Sequence, residues 1–290
     1  MNKYLSYLLF TPVLIALVMC ITLAAMRRSA APRAPSSHMC NAVHFTCKTD
    51  AEAAEFIDSF RETLPGCSFI HYDDDHMRQI VSKSGPRVLA AYDCVKPFAF
   101  KADIFRLCVL IDRGGLYLDA NMRAKAKRLD EHIDFNSDHV FVRDVQSNKA
   151  RLPYLNSLRY CDIALWQAFI YSKNPRSPVL KHILHHTVER VLNPSKHAVD
   201  SFLHPNDAVL YFTGPIAFGE FAAEALDLSD WRSVQDAADL QVLDFDGRTV
   251  TSNGFKVVGK TGSVKRMKNP AHYHSMFMEH GIEGLLCSTL

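Results

Sequence analysis

The chain has 290 residues, 48% hydrophobic and 22% charged, which suits one ordinary globular domain with room for a sizeable core plus an additional short segment. A formal net charge of +2, with no basic patch interleaved with aromatics, argues against a large electrostatic footprint on nucleic acid. None of the eight cysteines forms a CxxC pair, so zinc is not expected.

The first feature in chain order is the run from Tyr4 to Met26, almost uninterrupted in apolar residues and free of charge. It matches the ~20 residues that cross a bilayer and exceeds the ~7–15 residues of a signal-peptide core. Residues 1–28 are therefore expected to form one N-terminal transmembrane helix, an uncleaved membrane anchor. Lys3 precedes the run and Arg27, Arg28 and Arg33 follow it, so the positive-inside rule alone would keep the following side in the cytosol. Residues 29–39, rich in Ala, Pro and Ser, read as a short stem.

The globular domain is expected over residues 40–290. Ala42 to Cys47 reads as a strand, and Thr49-Asp50-Ala51-Glu52 as a capping box opening a helix that Pro65-Gly66 ends. Ser68 to Tyr72 gives a second strand. Asp73 and Asp74 stand where N-caps belong, ahead of a helix whose apolar face is Met77, Ile80 and Val81. Strand, helix, strand and helix at this spacing predict an α/β fold with a parallel sheet.

Residues 101–121, KADIFRLCVLIDRGGLYLDAN, carry the most information. Asp103 and Arg106, at i and i+3, share one helix face, while Ile104, Leu107, Cys108 and Ile111 form its apolar stripe. The polar pair is expected to face a site and not the core; a buried ion pair that orients the helix is the competing reading. Gly114-Gly115 reverses the chain, and Leu116, Tyr117 and Leu118 read as a short buried strand. If the extended conformation persists, Asp119 and Asn121 project to the same side and offer two oxygen ligands to one hard cation.

This stretch resembles the glycosyltransferases with a DXD-containing sugar-binding region, the family that includes initiation-specific α-1,6-mannosyltransferases. Its approximate pattern, KxDxxRxxxLxxxGGxYxDxD, is met in register by Lys101, Asp103, Arg106, Leu110, Gly114, Gly115, Tyr117 and Asp119, with Asn121 replacing the last acid. The resemblance implies a GT-A-like, Rossmann-like nucleotide-sugar-binding fold and a retaining transfer from a nucleoside-diphosphate sugar to a glycan or glycolipid acceptor. It also implies Mn²⁺ or Mg²⁺ held at Asp119 and Asn121, and donor contacts from Asp103 and Arg106. His272 and His274 match where family members carry a histidine that closes over the nucleotide and can ligate the metal. A Golgi-lumenal catalytic domain behind a single-pass anchor follows from the same source. Cys40 and Cys47 could bridge in such a compartment.

Farther on, Ile163–Tyr171 and Val179–Leu192 read as helices, and Thr213-Gly214-Pro215 resembles the family's TGP loop. His182, His185 and His186 have helical ligand spacing but no evident carboxylate partner, so a solvated helix face is expected. VLDFDGRTV at 242–250 looks like the first motif of haloacid-dehalogenase-type phosphatases, but Arg248 breaks the spacing and only about 40 residues follow. Asn121 leaves a further alternative: a membrane-anchored homologue that binds nucleotide sugar or glycan without turnover.

Overall fold

Local capping chemistry starts the helices where the residues predict. The Thr49 hydroxyl accepts the Glu52 N–H at 3.2 Å, and the Glu52 carboxylate reaches back to the Lys48 N–H at 3.1 Å. The Asp73 carboxylate accepts the His76 N–H at 2.8 Å, which fixes the next helix start.

The computed structural model describes residues 40–144, 164–195, 205–228, 239–261 and 273–286. In chain order these form β1 (Ala42–Thr46), α1 (Asp50–Arg61), β2 (Ser68–Tyr72), α2 (Asp74–Lys83), α3 (Pro86–Cys94), α4 (Phe98–Arg113), β3 (Gly115–Leu118) and β4 (Met122–Ala124). Then come β5 (His139–Asp144), β6 (Phe169–Ser172), α5 (Pro178–Leu192), α6 (Pro205–Phe212), α7 (Pro215–Ala225), β7 (Leu240–Phe245), β8 (Thr249–Ser252), β9 (Phe255–Lys260) and α8 (Tyr273–His280). No helix among the described residues is long and apolar enough to cross a membrane. The expected anchor over Tyr4–Met26 and the stem over 29–39 lie outside the described residues.

The sheet order is β2-β1-β3-β6-β5-β7-β8-β9-β4. The expected parallel arrangement holds for β2, β1 and β3, but β6 runs antiparallel between β3 and β5, so the sheet is mixed. This corrects the reading of Ile163–Tyr171 as a helix: Phe169–Ser172 is a central strand, buried at every position. A strand buried on both faces has no polar alternation, and its apolar run cannot be told from a buried helix by period.

Side chains alternate across the sheet into two cores. Val43, Phe45, Leu116, Leu118, Val140, Val142 and Phe169 pack on the α1 side, while Tyr117, Phe141 and Ile170 join α2 to α7 on the other.

The sheet must also curl. β3 and β4 stand third and ninth in the order, yet only Asp119, Ala120 and Asn121 join them. At ~4.8 Å between neighbouring strands, a flat sheet would hold them roughly 29 Å apart, about twice what the link spans fully extended. The three-residue link therefore lies at the seam where the two ends of the sheet approach.

His44 secures the strand leading to that seam. Burial pushes its pKa down to about 4, so the ring is neutral near pH 7 and carries a single N–H. Nε2 lies 2.9 Å from the Gly114 carbonyl and Nδ1 lies 3.0 Å from the Tyr72 hydroxyl. Only one tautomer serves both: Nε2–H donates to the carbonyl, and Nδ1 accepts from Tyr72. Gly114 and Gly115 have φ of 66° and 92°, and a Cβ on Gly115 would stand 2.6 Å from the Ala42 carbonyl oxygen.

Elsewhere, VLDFDGRTV is a hairpin. Asp244 pairs with Arg143 at 2.7 Å, and Asp246 Oδ1 accepts the N–H groups of Arg248 and Thr249 in the turn. That is Asx-turn chemistry, with no free nucleophile. Cys40 and Cys47 are both free thiols, and the neighbour of Cys40 is Cys67, whose thiol donates to the Cys40 carbonyl at 2.7 Å.

Candidate functional site

Helix α4 is buried from Ala102 to Leu110, because it packs between the sheet and the helices around it. Asp103 and Arg106 share that burial, each 6% exposed, so the polar pair sits inside the fold more deeply than a face open to ligand. Arg106 Nη2 lies 3.0 Å from Asp103 Oδ1 and 3.4 Å from Asp119 Oδ1, and Arg106 Nε donates to the Ala102 carbonyl at 3.2 Å. The guanidinium also lies over the Tyr117 ring at 5.0 Å. One cation thus links the helix to the residue at the end of β3.

Burial dominates the titration of these groups. It pushes the Asp103 carboxyl up to about 6, against the pull of Arg106 and the hydrogen bond from Thr213. Burial pulls the Arg106 value down, yet Asp103 first, then Tyr117 and Asp119, hold it above its ordinary value. Burial, with the charge of Asp119, pushes Tyr117 upward, so its hydroxyl keeps its proton and donates to Asp119 Oδ1 at 3.1 Å.

Asp119 and Asn121 do not continue the strand. The Met122 N–H bonds to the Asp119 carbonyl at 2.9 Å, so residues 119–122 form a turn, and the expectation of an extended chain presenting two side chains at a two-residue period fails. The turn is pinned on both flanks: the Asp119 N–H donates to the Ala168 carbonyl at 3.0 Å, and the Asn121 carbonyl accepts both the N–H and the hydroxyl of Thr261 at 2.8 Å. The Asp119 side chain is 33% exposed, and no described protein donor reaches its Oδ2. Asn121 Oδ1 is buried and has no hydrogen-bond partner among the described residues.

A second orphaned oxygen lies close in the network. Gln167 donates through Nε2 to the Thr213 carbonyl at 2.8 Å, while its Oε1 is buried without a partner among the described residues. The Thr213 hydroxyl in turn donates to Asp103 Oδ2 at 2.7 Å. Gly214 permits this approach, since a Cβ there would meet the Val209 carbonyl oxygen at 2.5 Å, and Pro215 then opens α7. Unpaired buried carbonyl oxygens cost ~1–3 kcal/mol each. The Asn121 oxygen, on the same turn as the half-buried Asp119 carboxylate, is one that an electropositive ligand would satisfy.

Residues 50–138 match the family of glycosyltransferase sugar-binding regions containing the DXD motif. The match spans less than half of the chain and includes Asp103, Arg106, Asp119 and Asn121. It supports sugar binding for glycosyl transfer in general and does not separate mannosyltransferases from the rest of the family. No curated protein matches the chain. Among solved structures, the chain is similar to the PaToxG glycosyltransferase at 12% identity, with a TM-score of 0.39 over 68% of this chain and 73% of that one, a likeness too distant to carry an argument.

The matched segment thus brings Asp103, Arg106 and Asp119 into one bonded cluster, with Asn121 at the far end of the same turn. His274 lies in the first turn of α8, and His272 lies outside the described residues. Lys101 sits over the Tyr92 ring at 5.1 Å. Sequence reasoning missed Gln167, because its segment read as helix, and the roles of the Thr213 and Tyr117 hydroxyls, because contacts across the fold leave no local pattern. Tyr273 was also missed: it is partly buried, and its pKa is raised by burial and by the charge of Asp103.

A carboxylate oxygen free of protein donors and a buried amide oxygen lacking a partner are the donor types that Mg²⁺ and Mn²⁺ take. By donor type, Asp119 and Asn121 each suit a hard divalent cation. A cavity of about 530 Å³, lined by Lys83, Arg87, Asp112, Arg176, Lys181 and His185 among others, touches none of the predicted site residues.

Proposed function

We propose that this chain transfers a hexosyl group from a nucleoside-diphosphate sugar to a glycan or glycolipid acceptor. The observation that carries the reading is the buried Asn121 Oδ1, which has no hydrogen-bond partner among the described residues, on the same turn as Asp119 and inside the segment similar to sugar-binding regions. Asp119 Oδ2 and Asn121 Oδ1 would hold Mn²⁺ or Mg²⁺, which supplies charge compensation for the diphosphate leaving group. Arg106 fixes the rotamer of Asp119 and adds positive charge where the diphosphate lies. Asp103 has both oxygens engaged by protein donors, so it acts as a positioning residue for Arg106 and the Thr213 loop. Retention at the anomeric carbon, the contribution of His272 or His274, and a nucleotide in the donor rest on the family resemblance.

Tyr4–Met26 supports a single-pass anchor, and the family habit supports a Golgi-lumenal domain; protease protection of sealed microsomes tests both.

The decisive experiment is calorimetric titration of the full-length chain in detergent with a panel of UDP- and GDP-sugars, with and without Mn²⁺. Metal-dependent binding of one donor, lost in Asp119→Ala, and turnover of that donor support the transferase. The amide at Asn121, which brings no negative charge, favours a second reading, a homologue that binds donor without turnover. Tight donor binding with neither hydrolysis nor transfer would establish that one instead.

A further inference from the structure

Helices α5 and α7 pack antiparallel, and their facing side chains form a ladder. Arg190 meets Glu220 at 2.7 Å, His186 stacks on Phe221 with ring centroids 5.2 Å apart, and one turn farther His182 Nε2 comes within 3.4 Å of Glu224 Oε2. This corrects the expectation that the histidine cluster lacks a carboxylate partner. The partner comes from a helix some 40 residues away in the chain.

His182 and His186 stand at i and i+4 on α5, with ring centroids 4.3 Å apart. One ligand atom from each, together with a carboxylate oxygen of Glu224, all lie within 4.8 Å of one another. His182 Nε2 is itself buried, and among the described residues no hydrogen bond of adequate geometry satisfies it, the Glu224 oxygen included. In its neutral form each imidazole offers one nitrogen lone pair, and both rings stand beside one carboxylate. A divalent cation can take all three at once.

We propose that His182, His186 and Glu224 form a zinc site that fastens α5 to α7. Two imidazoles and one carboxylate are ligands of borderline softness that suit Zn²⁺. Tetrahedral bonds of ~2.0–2.2 Å place ligand atoms roughly 3.3–3.5 Å apart. The His182–Glu224 separation of 3.4 Å already meets that spacing. His186 closes the set by a rotation of its ring, and water takes the fourth position on the exposed side. The proposal departs from the expectation against zinc, because missing CxxC pairs bear only on thiolate ligands and this set has none. This one is separate from the DXD turn, but it braces α7, which begins at the Thr213 loop bonded to Asp103. It stands whether or not the transferase reading does.

The test is zinc binding by the full-length chain, purified without a polyhistidine tag, dialysed against trace Zn²⁺ and analysed by metal emission and thermal melting. Wild type is expected to retain one equivalent and to melt several degrees higher with zinc than after chelation. His182→Ala/His186→Ala and, separately, Glu224→Gln lose both effects, while Asp119→Ala keeps them. The two sets of variants change partly exposed side chains, and circular dichroism checks that they fold. Co²⁺ in place of zinc gives a tetrahedral visible spectrum without thiolate charge transfer. Failure of wild type to retain zinc overturns the proposal, as do retention by the histidine double variant, loss in Asp119→Ala, or a cobalt–thiolate band.

Discussion

Thr213 donates a 2.7 Å hydrogen bond to Asp103 Oδ2 across 110 residues of chain. It ties the loop that opens α7 to the centre of α4, and both partners are buried. Thr213→Val keeps the shape and removes the donor, leaving a buried carboxylate oxygen unpaired. The expected loss is about 1–3 kcal/mol of folding stability, read by urea denaturation. An unchanged midpoint and slope would mean that water replaces the hydroxyl.

Arg106 is the only cation bonded to both Asp103 and Asp119 among the described residues. Arg106→Met strands a buried carboxylate and should cost about 3–5 kcal/mol. Adding Asp103→Asn should recover part of that, so the double variant loses less than the two single losses together. Strict additivity in this cycle would show that the pair is not coupled.

Asp103 gives stability a pH dependence of defined sign. Burial raises its carboxyl to about 6 in the folded chain, from ~4 when unfolded. The folded state therefore holds this proton more tightly. The contribution favours folding below the unfolded value and is lost as pH rises through about 6. Asp103→Asn cannot titrate there. The wild-type minus variant unfolding free energy should fall between pH ~4 and ~6 and stay level above ~7. A rise over that interval would show that Arg106, not burial, governs the group.

Asn121→Asp places a negative charge where the buried amide oxygen stands without a partner. Mn²⁺ affinity should rise about tenfold, ~1.4 kcal/mol, in a titration that uses Asp119→Ala as its zero. Weaker Mn²⁺ binding by the acid would falsify the assignment of this oxygen as a metal ligand.

Much of this molecule is legible in short windows. Thr49 with Glu52, and Asp73 ahead of Met77, Ile80 and Val81, specify helix starts because capping is settled within four residues. The helix, Gly-Gly and strand order of 101–118 is legible for the same reason, since positive φ at Gly114 and Gly115 is a local demand. What escapes is what the far chain supplies. Phe169–Ser172 is a strand only because β3 and β5 flank it. Asp119 turns away from extension because Met122 must join β9 at the sheet's last position. Glu224 meets His182 and His186 through helix packing that no spacing records. The depth of Asp103 and Arg106 likewise belongs to tertiary structure, so the polar face of an amphipathic pattern pointed inward.

The link between β3 and β4 carries an entropic consequence. Its three residues are held at one end by pairing with β6 and at the other by pairing with β9. A free loop must surrender ~1–2 kcal/mol of backbone freedom per residue when a ligand orders it. Here that freedom is already gone when the sheet closes, because the residues that would meet the ligand are the ones that complete the fold. Affinity at this turn should therefore track global stability: substitutions that loosen β4 from β9 will weaken ligand binding without touching a single contact atom.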